Sequence, residues 1–235
     1  VLAANKFMIS SRYISLLILL IQYTASGQPV VPDSLYYTYT FEEFFHSLPA
    51  LYKAISIEQP DYHLLDAAIF HATNEARAQE DLVPLKYNQA LHKAAALHAT
   101  HMIDLDFHSH YNEQIRYFYF PLDRIREFDK RVPLIGENIG EYPLMWSKET
   151  YCPERQKNGQ FIYFNCKTHE PLEIYSYIAY AKMAVDKWMN SPAHRKNILS
   201  PDFQYIGCAA RFSKNPYQQR KLPFARLTQN FGGYY

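Results

Sequence analysis

The residues of this chain with the most chemical reach are histidines and carboxylates at short spacings. His194 stands in the densest stretch, Trp188-Met-Asn-Ser-Pro-Ala-His-Arg-Lys-Asn-Ile-Leu-Ser-Pro-Asp-Phe-Gln-Tyr-Ile-Gly-Cys208. Ser191 is a preferred N-cap and Pro192 suits the first helical position, where its missing N–H costs nothing. His194 then falls in the first turn of a helix, whose positive end disfavours imidazolium. Neutral imidazole is the form that binds a metal or accepts a proton; a first-turn histidine with no chemical role is the competing reading. His71 and Glu75 are four apart on a helical pattern, so their side chains can meet on one face. That spacing is half a metal site, but a hydrogen-bonded pair is the expectation. His98 lies on an apolar stripe and reads as a core histidine satisfied by a hydrogen bond, with His101 three residues on. His108 and His110 share a short loop, as ligands or as solvated side chains; their spacing does not decide between the two. Glu137 sits in Gly136-Glu-Asn-Ile-Gly140, ahead of an apolar, strand-like run. Gly136 and Gly140 are no dinucleotide fingerprint, since the spacing is wrong and no helix follows.

The elements that must carry these residues follow from periodicity. Leu65, Ala68, Ile69, Ala72 and Ala76 form one apolar stripe and predict a helix from about Asp61 to Gln79. Asn88 can cap a second helix to about Asp104, with Leu91, Ala94, Ala95, His98 and Met102 inward. Pro121 to Phe128 predicts a short helix holding Arg124. A third long helix is expected over Glu173–Met189, with Ile174, Ile178, Ala181, Val185 and Trp188 spaced for burial, and a short fourth over Pro192–Leu199. Two strands close the chain: Tyr205–Phe212, with Ile206, Cys208 and Ala210 on one face, and Pro223–Phe231. Helices first, then strands and helix, then a terminal hairpin describe an α+β sandwich, not a βαβ repeat.

Residues 144–172 read as an insertion. Lys157-Asn158-Gly159-Gln160 is a hairpin signal, because Asn-Gly suits a turn needing positive φ. Cys152 and Cys166 lie almost symmetrically about it, which predicts a disulfide across the hairpin. The third cysteine, Cys208, reads as a small buried hydrophobe on a strand.

Bulk properties bound the rest. The chain has 235 residues, 48% hydrophobic and 20% charged, so it can bury a sizeable core. Its formal charge is +1. Removing the first 27 residues, whose only charges are Lys6 and Arg12, leaves 22 basic against 23 acidic residues. That balance gives no electrostatic case for nucleic acid or an anionic membrane surface. Residues 1–27 have the layout of a secretion signal: a basic lead, an apolar core from Ile14 to Ile21, and small residues at Ala25-Ser26-Gly27. The apolar run falls short of the roughly 20 residues a spanning helix needs, so no membrane span is expected in the mature chain. Residues 28–60 form an N-terminal extension rich in aromatic residues, expected to pack on the domain with a helix from Phe41 to Ser47.

Taken in order, the motifs resemble one known family. They are Thr73-Asn-Glu-Ala-Arg77, Leu85 to Met102, Ser109-His110, Gly136-Glu-Asn-Ile-Gly140, Trp188-Met-Asn-Ser-Pro-Ala-His-Arg195 with Asn197-Ile-Leu199, Ile206-Gly207, and Thr228-Gln-Asn-Phe-Gly232. The set is similar to the CAP superfamily of cysteine-rich secretory proteins, insect venom antigens and plant pathogenesis-related proteins. It is nearest its bacterial secreted, SCP-like branch. The resemblance covers 61–235, less the last residues. It implies a three-layer α-β-α sandwich and a protein secreted, extracellular or periplasmic. It also implies a cleft of two histidines and two acidic residues that holds a divalent cation in some members. The matching positions are His110, Glu137 and His194; Ser191 stands about where the second acidic residue would fall. Asn74, Arg77, Asn138, Trp188, Ser191 and Asn197 match as structural motif positions. The resemblance favours an extracellular binding module for a protein, peptide or lipid, with no general catalytic activity and no required cofactor. A divalent-metal hydrolase, with zinc in the His/Glu cleft and Glu137 as general base, is the alternative. Ser191 or Ser109 as a nucleophile is a weaker third reading, lacking a Gly-x-Ser-x-Gly elbow and an orienting acid.

Overall fold

The computed structural model describes residues 22–23, 29–30, 33–131, 134–148 and 150–233. The secretion-signal reading falls on residues outside these, apart from Gln22 and Tyr23. β1 (Gln22–Tyr23) and β2 (Pro29–Val30) pair antiparallel within a separate unit that ends at Pro32. Everything from Asp33 onward forms the second unit.

That unit opens with α1 (Asp33–Tyr36) and α2 (Phe41–Ser47). Thr40 and Glu43 cap α2 reciprocally, each side chain taking the other's backbone N–H, and so fix where this helix begins. Its inner residues Phe44 and Phe45 are buried in the main core. α3 (Tyr62–Ala78) follows, with the Asp61 side chain accepting from Leu64 N at 3.0 Å. Next come β3 (Lys86–Tyr87) and α4 (Gln89–Asp104), where Asn88 accepts from Leu91 N at 3.0 Å. Both caps stand where a short polar residue precedes an apolar stripe.

After α5 (Pro121–Arg126) the chain forms β4 (Leu134–Pro143), β5 (Met145–Trp146), β6 (Tyr151–Arg155), β7 (Phe161–Asn165) and β8 (Glu173–Ile174). It ends with α6 (Tyr177–Met189), α7 (Pro192–Ile198), β9 (Tyr205–Phe212) and β10 (Phe224–Gly233). β3, β9, β10 and β4 make a four-stranded sheet in that order, with β3 parallel to β9 and the other pairs antiparallel.

Alternation along β9 builds the layers. Ile206, Cys208 and Ala210 join the core that α3 and α6 share. Gly207 and Ala209 point the other way, onto α4. A Cβ on Gly207 would lie 2.0 Å from the backbone nitrogen of His92, so only glycine lets α4 come so close. Helices thus cover both faces, giving the α-β-α sandwich. Trp188 of α6 is fully buried and donates Nε1–H to Ile139 O at 2.9 Å, bolting that helix to β4.

Three expectations need correction. The third long helix begins at Tyr177, capped by Ser176, not at Glu173. Glu173 and Ile174 instead pair with Trp146 and Met145, so the chain that leaves after β5 returns beside its point of departure. His71 and Glu75 do not bond to each other. The buried His71 ring meets the Tyr36 carbonyl at 2.8 Å, and Glu75 reaches Lys182 at 2.7 Å, because the packing of α1 and α6 offers each a nearer partner. Ser191 holds the N-cap position of α7, but its side chain makes no capping bond. Only one residue separates the α6 cap Asn190 from Pro192, and backbone bonds close that junction: Ser191 N to Trp188 O at 3.0 Å and Arg195 N to Ser191 O at 2.8 Å.

The β6–β7 hairpin is crossed by the Cys152–Cys166 disulfide, with Cα atoms 5.1 Å apart. Its turn places Gly159 at φ +87°, and Gly159 N donates to Gln156 O at 2.9 Å. This is a three-residue loop with glycine in the left-handed position, not a two-residue turn. Cys208 is free and buried.

Candidate functional site

The site grows from the loop after α4. His98, fully buried on α4, bonds Ser109 O at 3.0 Å through Nε2 and ties the loop to the helix. Burial pushes its pKa down to about 4, so it stays a neutral post. Asn112, also buried, accepts from the backbone N–H groups of Gln114 (3.1 Å) and Ile115 (2.9 Å) and closes the next turn. His110 is thereby presented with 41% of its side chain exposed.

Glu137 comes from β4, with 3% of its side chain exposed. Both its oxygens are engaged. Oε1 accepts from His110 Nδ1 at 2.9 Å and from Arg124 at 3.0 Å, and Oε2 accepts from Arg124 at 2.8 Å. Arg124, on α5, is wholly buried and also donates to the carbonyls of Phe118, Tyr119 and His110 at 2.9, 3.2 and 3.0 Å. Burial alone would raise the Glu137 pKa; the His110 hydrogen bond and the Arg124 guanidinium outweigh it and hold the carboxyl below its usual range. Glu137, as an ionised carboxylate, can only accept, so His110 Nδ1 carries the proton of that bond.

His194 arrives on α7, which two amides lock to β4. Asn138 Nδ2 donates to His194 O at 3.2 Å and to Gln229 Oε1 at 3.1 Å. Asn197 Nδ2 donates to Glu137 O at 3.2 Å and to Asn138 Oδ1 at 2.8 Å. The His194 pKa is lowered by burial and then by His110 and His108 nearby. The neutral state expected from the helix dipole therefore has burial as its main cause. His108 is lowered by burial too, and its charged neighbours are Glu141, His110, Arg226 and Lys221.

The other matched positions serve as fasteners. Asn74 brackets the Leu85 peptide unit, donating to its carbonyl at 3.0 Å and accepting from its N–H at 2.8 Å. Arg77 donates to Val83 O (3.0 Å), Ile198 O (2.6 Å) and Ser200 O (3.0 Å), joining α3 to the end of α7. Ser109 Oγ accepts from Tyr111 N at 3.1 Å.

Arg124 is the residue that sequence reasoning placed in a helix but gave no role. One of two arginines flanking Ile125 on a six-residue helix gives no periodic signal, and its partner lies 13 positions away. Its presence decides the chemistry of Glu137. A carboxylate already neutralised by a buried guanidinium, with both oxygens bonded, does not fit as a metal ligand or as a general base. Among the described residues no group of three or more His, Cys, Asp or Glu side chains is arranged to hold a metal ion. Beside the site an aromatic rim stands out. Tyr111 stacks on Tyr119 with centroids 5.4 Å apart and meets Phe120 edge-on at 5.8 Å, while Tyr111 and Phe120 are 46% and 51% exposed.

A three-layer sandwich with a histidine–glutamate pair at its helix–sheet rim defines an SCP-type domain. The sequence model of the Cysteine-rich secretory protein family, CAP, matches residues 70–231, and the chain belongs to that family. It is 29% identical over 139 residues to the uncharacterized protein YkwD of Bacillus subtilis, covering 59% of this chain and 39% of YkwD. The chain thus spans about two-fifths of that relative's length. Among solved structures, an SCP-domain extracellular protein of Bacillus anthracis is 22% identical with a TM-score of 0.48, over 75% of this chain and 42% of that one. An outer surface protein of Borrelia burgdorferi is 16% identical with a TM-score of 0.47, over 71% of this chain and 90% of that one. No helix among the described residues is long and apolar enough to cross a membrane.

Proposed function

We propose that this chain is a secreted binding module whose histidine cleft and aromatic rim engage an extracellular peptide or protein segment. The observation that carries the reading is the saturated Glu137. Its ion pair with the buried Arg124 makes it a frame for His110, so the imidazole is held in one orientation and Glu137 itself is not a mobile base. Rigid aromatic side chains at the rim supply contact area at low entropic cost. The leader-like start, the disulfide and the family's secretory character support export.

The test is selection of a random displayed-peptide library on the wild type and on a Tyr111→Ser/Phe120→Ser variant. Peptides that bind the wild type with micromolar Kd, and bind the variant at least tenfold more weakly, are expected. No enrichment, or enrichment indifferent to the variant, overturns the reading. Zinc titration by calorimetry separates the hydrolase alternative. Binding at micromolar Kd or tighter, lost in both His110→Ala and His194→Ala, together with zinc-dependent peptide or ester cleavage, would replace a binding module by an enzyme.

A further inference from the structure

A second set of reactive side chains lies outside the cleft, where α3, α4, β3 and β9 meet. Asp66 of α3 is 1% exposed. Its Oδ1 accepts from Ala210 N at 2.8 Å, and Arg211 lies 3.2 Å from Oδ1 and 3.1 Å from Oδ2. Oδ2 also faces His92 Nε2 at 3.1 Å, and on the far side of that ring Nδ1 lies 2.8 Å from the Tyr87 hydroxyl. An ionised carboxylate only accepts, so Nε2 carries a proton toward Asp66; in the neutral ring Nδ1 is then the acceptor and Tyr87 O–H donates to it. The order carboxylate, imidazole, hydroxyl is that of a nucleophile activated through histidine, with a phenol in the place of an alcohol.

A purely structural bracket would need only to be buried. This relay instead runs outward, from a sealed carboxylate to an imidazole with 15% of its side chain exposed. His92 and Tyr87 then form part of the wall of a cavity of about 350 Å³, shared with His63, Lys93 and Arg211. No carboxylate is among the described residues lining it. Tyr37 stacks on the Tyr87 ring at 3.7 Å between centroids and holds its plane. Arg211 in that wall is already paired with Asp66, so Lys93 is the cation that a substrate carrying negative charge at the reacting atom would meet beside the phenol.

We propose that Tyr87 is a nucleophile toward phosphate monoesters, with His92 as its base and Asp66 as the residue that positions His92. In the first step Tyr87 Oη bonds to phosphorus as the bond from phosphorus to the leaving oxygen breaks. The phenolic proton passes to His92 Nδ1 and on to the leaving oxygen, giving phosphotyrosine 87 and a free alcohol. In the second step water attacks phosphorus and the bond to Oη breaks. The water proton returns through His92 to Oη, releasing inorganic phosphate and restoring the phenol. Lys93, in the same wall, bears on the charge of the transferred group, as basic side chains do in phosphoryl transfer.

The experiment uses the full chain with p-nitrophenyl phosphate, following p-nitrophenolate release and mapping the phosphorylated residue by mass spectrometry. A burst of up to one equivalent per chain, with the added mass on Tyr87, is expected. Tyr87→Phe, which keeps the ring stack, abolishes the burst. His92→Gln keeps its amplitude but slows it by about 100-fold or more, the usual weight of a general base. Absence of release from the folded wild type, added mass on another residue, or a burst unchanged in Tyr87→Phe overturns the proposal, whatever the variants do to stability.

Discussion

Replacing Arg124 by methionine tests the central claim about the cleft, that Glu137 is held as a framework anion. Arg124 has no exposed side-chain surface and Glu137 has 3%, so the pair is shut away from water. Methionine fills most of the volume but removes the guanidinium bonded to the carboxylate, and three backbone carbonyls lose a donor. Breaking a buried pair from one side costs about 3–5 kcal/mol, mostly because the remaining charge is stranded. In a domain of this size each kcal/mol is worth roughly 2–4 °C, so the midpoint should fall by roughly 6–20 °C. Urea unfolding at pH 7 measures the loss directly. The double variant Arg124→Met/Glu137→Gln should be more stable than the sum of the two single losses allows, since it strands no charge. The pH dependence adds a sign. A carboxyl whose folded pKa lies below its ordinary 4.5 stabilises the fold above that value, and the contribution disappears as pH falls through the folded pKa. Wild type should therefore lose stability on acidification below about 4.5, and Arg124→Met should lose less. Additive single effects, or an Arg124→Met cost under about 1 kcal/mol, the scale of an exposed pair, would refute the reasoning.

Other consequences can be read as directly. Gly207→Ala should cost about 3 kcal/mol or more in chemical denaturation, because its Cβ would stand 2.0 Å from a helix backbone atom that cannot step aside. Selective reduction of Cys152–Cys166, which are 14 residues apart, should cost about 3 kcal/mol on the chain-entropy account and show first as faster proteolysis of the β6–β7 hairpin. His71 and His98 have pKa values lowered by burial to about 4 from 6.5, so each favours folding at neutral pH and loses that contribution as pH falls from 6.5 toward 4. Imidazole NMR should show both rings neutral at pH 5; a midpoint near 6.5 for either would place that ring in water.

What could be read in the sequence and what could not divide along a physical line. Stripes with helical or strand period were legible, because burial on one face must repeat. α2, α3, α4, α7 and β9 stand within a residue or so of where their patterns put them. Hairpin chemistry was legible for a similar reason: Asn158-Gly159 states its backbone preference locally, and the two cysteines flank it. Errors arose where the partner of a side chain is remote. The i to i+4 spacing of His71 and Glu75 is a real proximity, yet Tyr36 and Lys182, 35 and 107 residues distant, won each side chain. Arg124 failed to register for the same reason, and so did Asp66, an acid set among buried residues of α3 with no lysine or arginine within a turn. An acid on such a face has to be neutralised from another element, so its isolation in sequence is itself a pointer to a tertiary ion pair. Asp66 and Glu137 both answer to that rule, each buried against a guanidinium and each facing an imidazole. They differ in what the imidazole meets beyond. His110 gives one nitrogen to Glu137 and leaves 41% of its side chain exposed, the exposure on which the proposed binding role rests. His92 spends its second nitrogen on a phenol at a cavity wall, which suits a proton leaving that phenol. On the two proposals, the same carboxylate–histidine unit serves binding in one place and reactivity in the other, with exposure of the ring in the first and the phenol in the second making the difference.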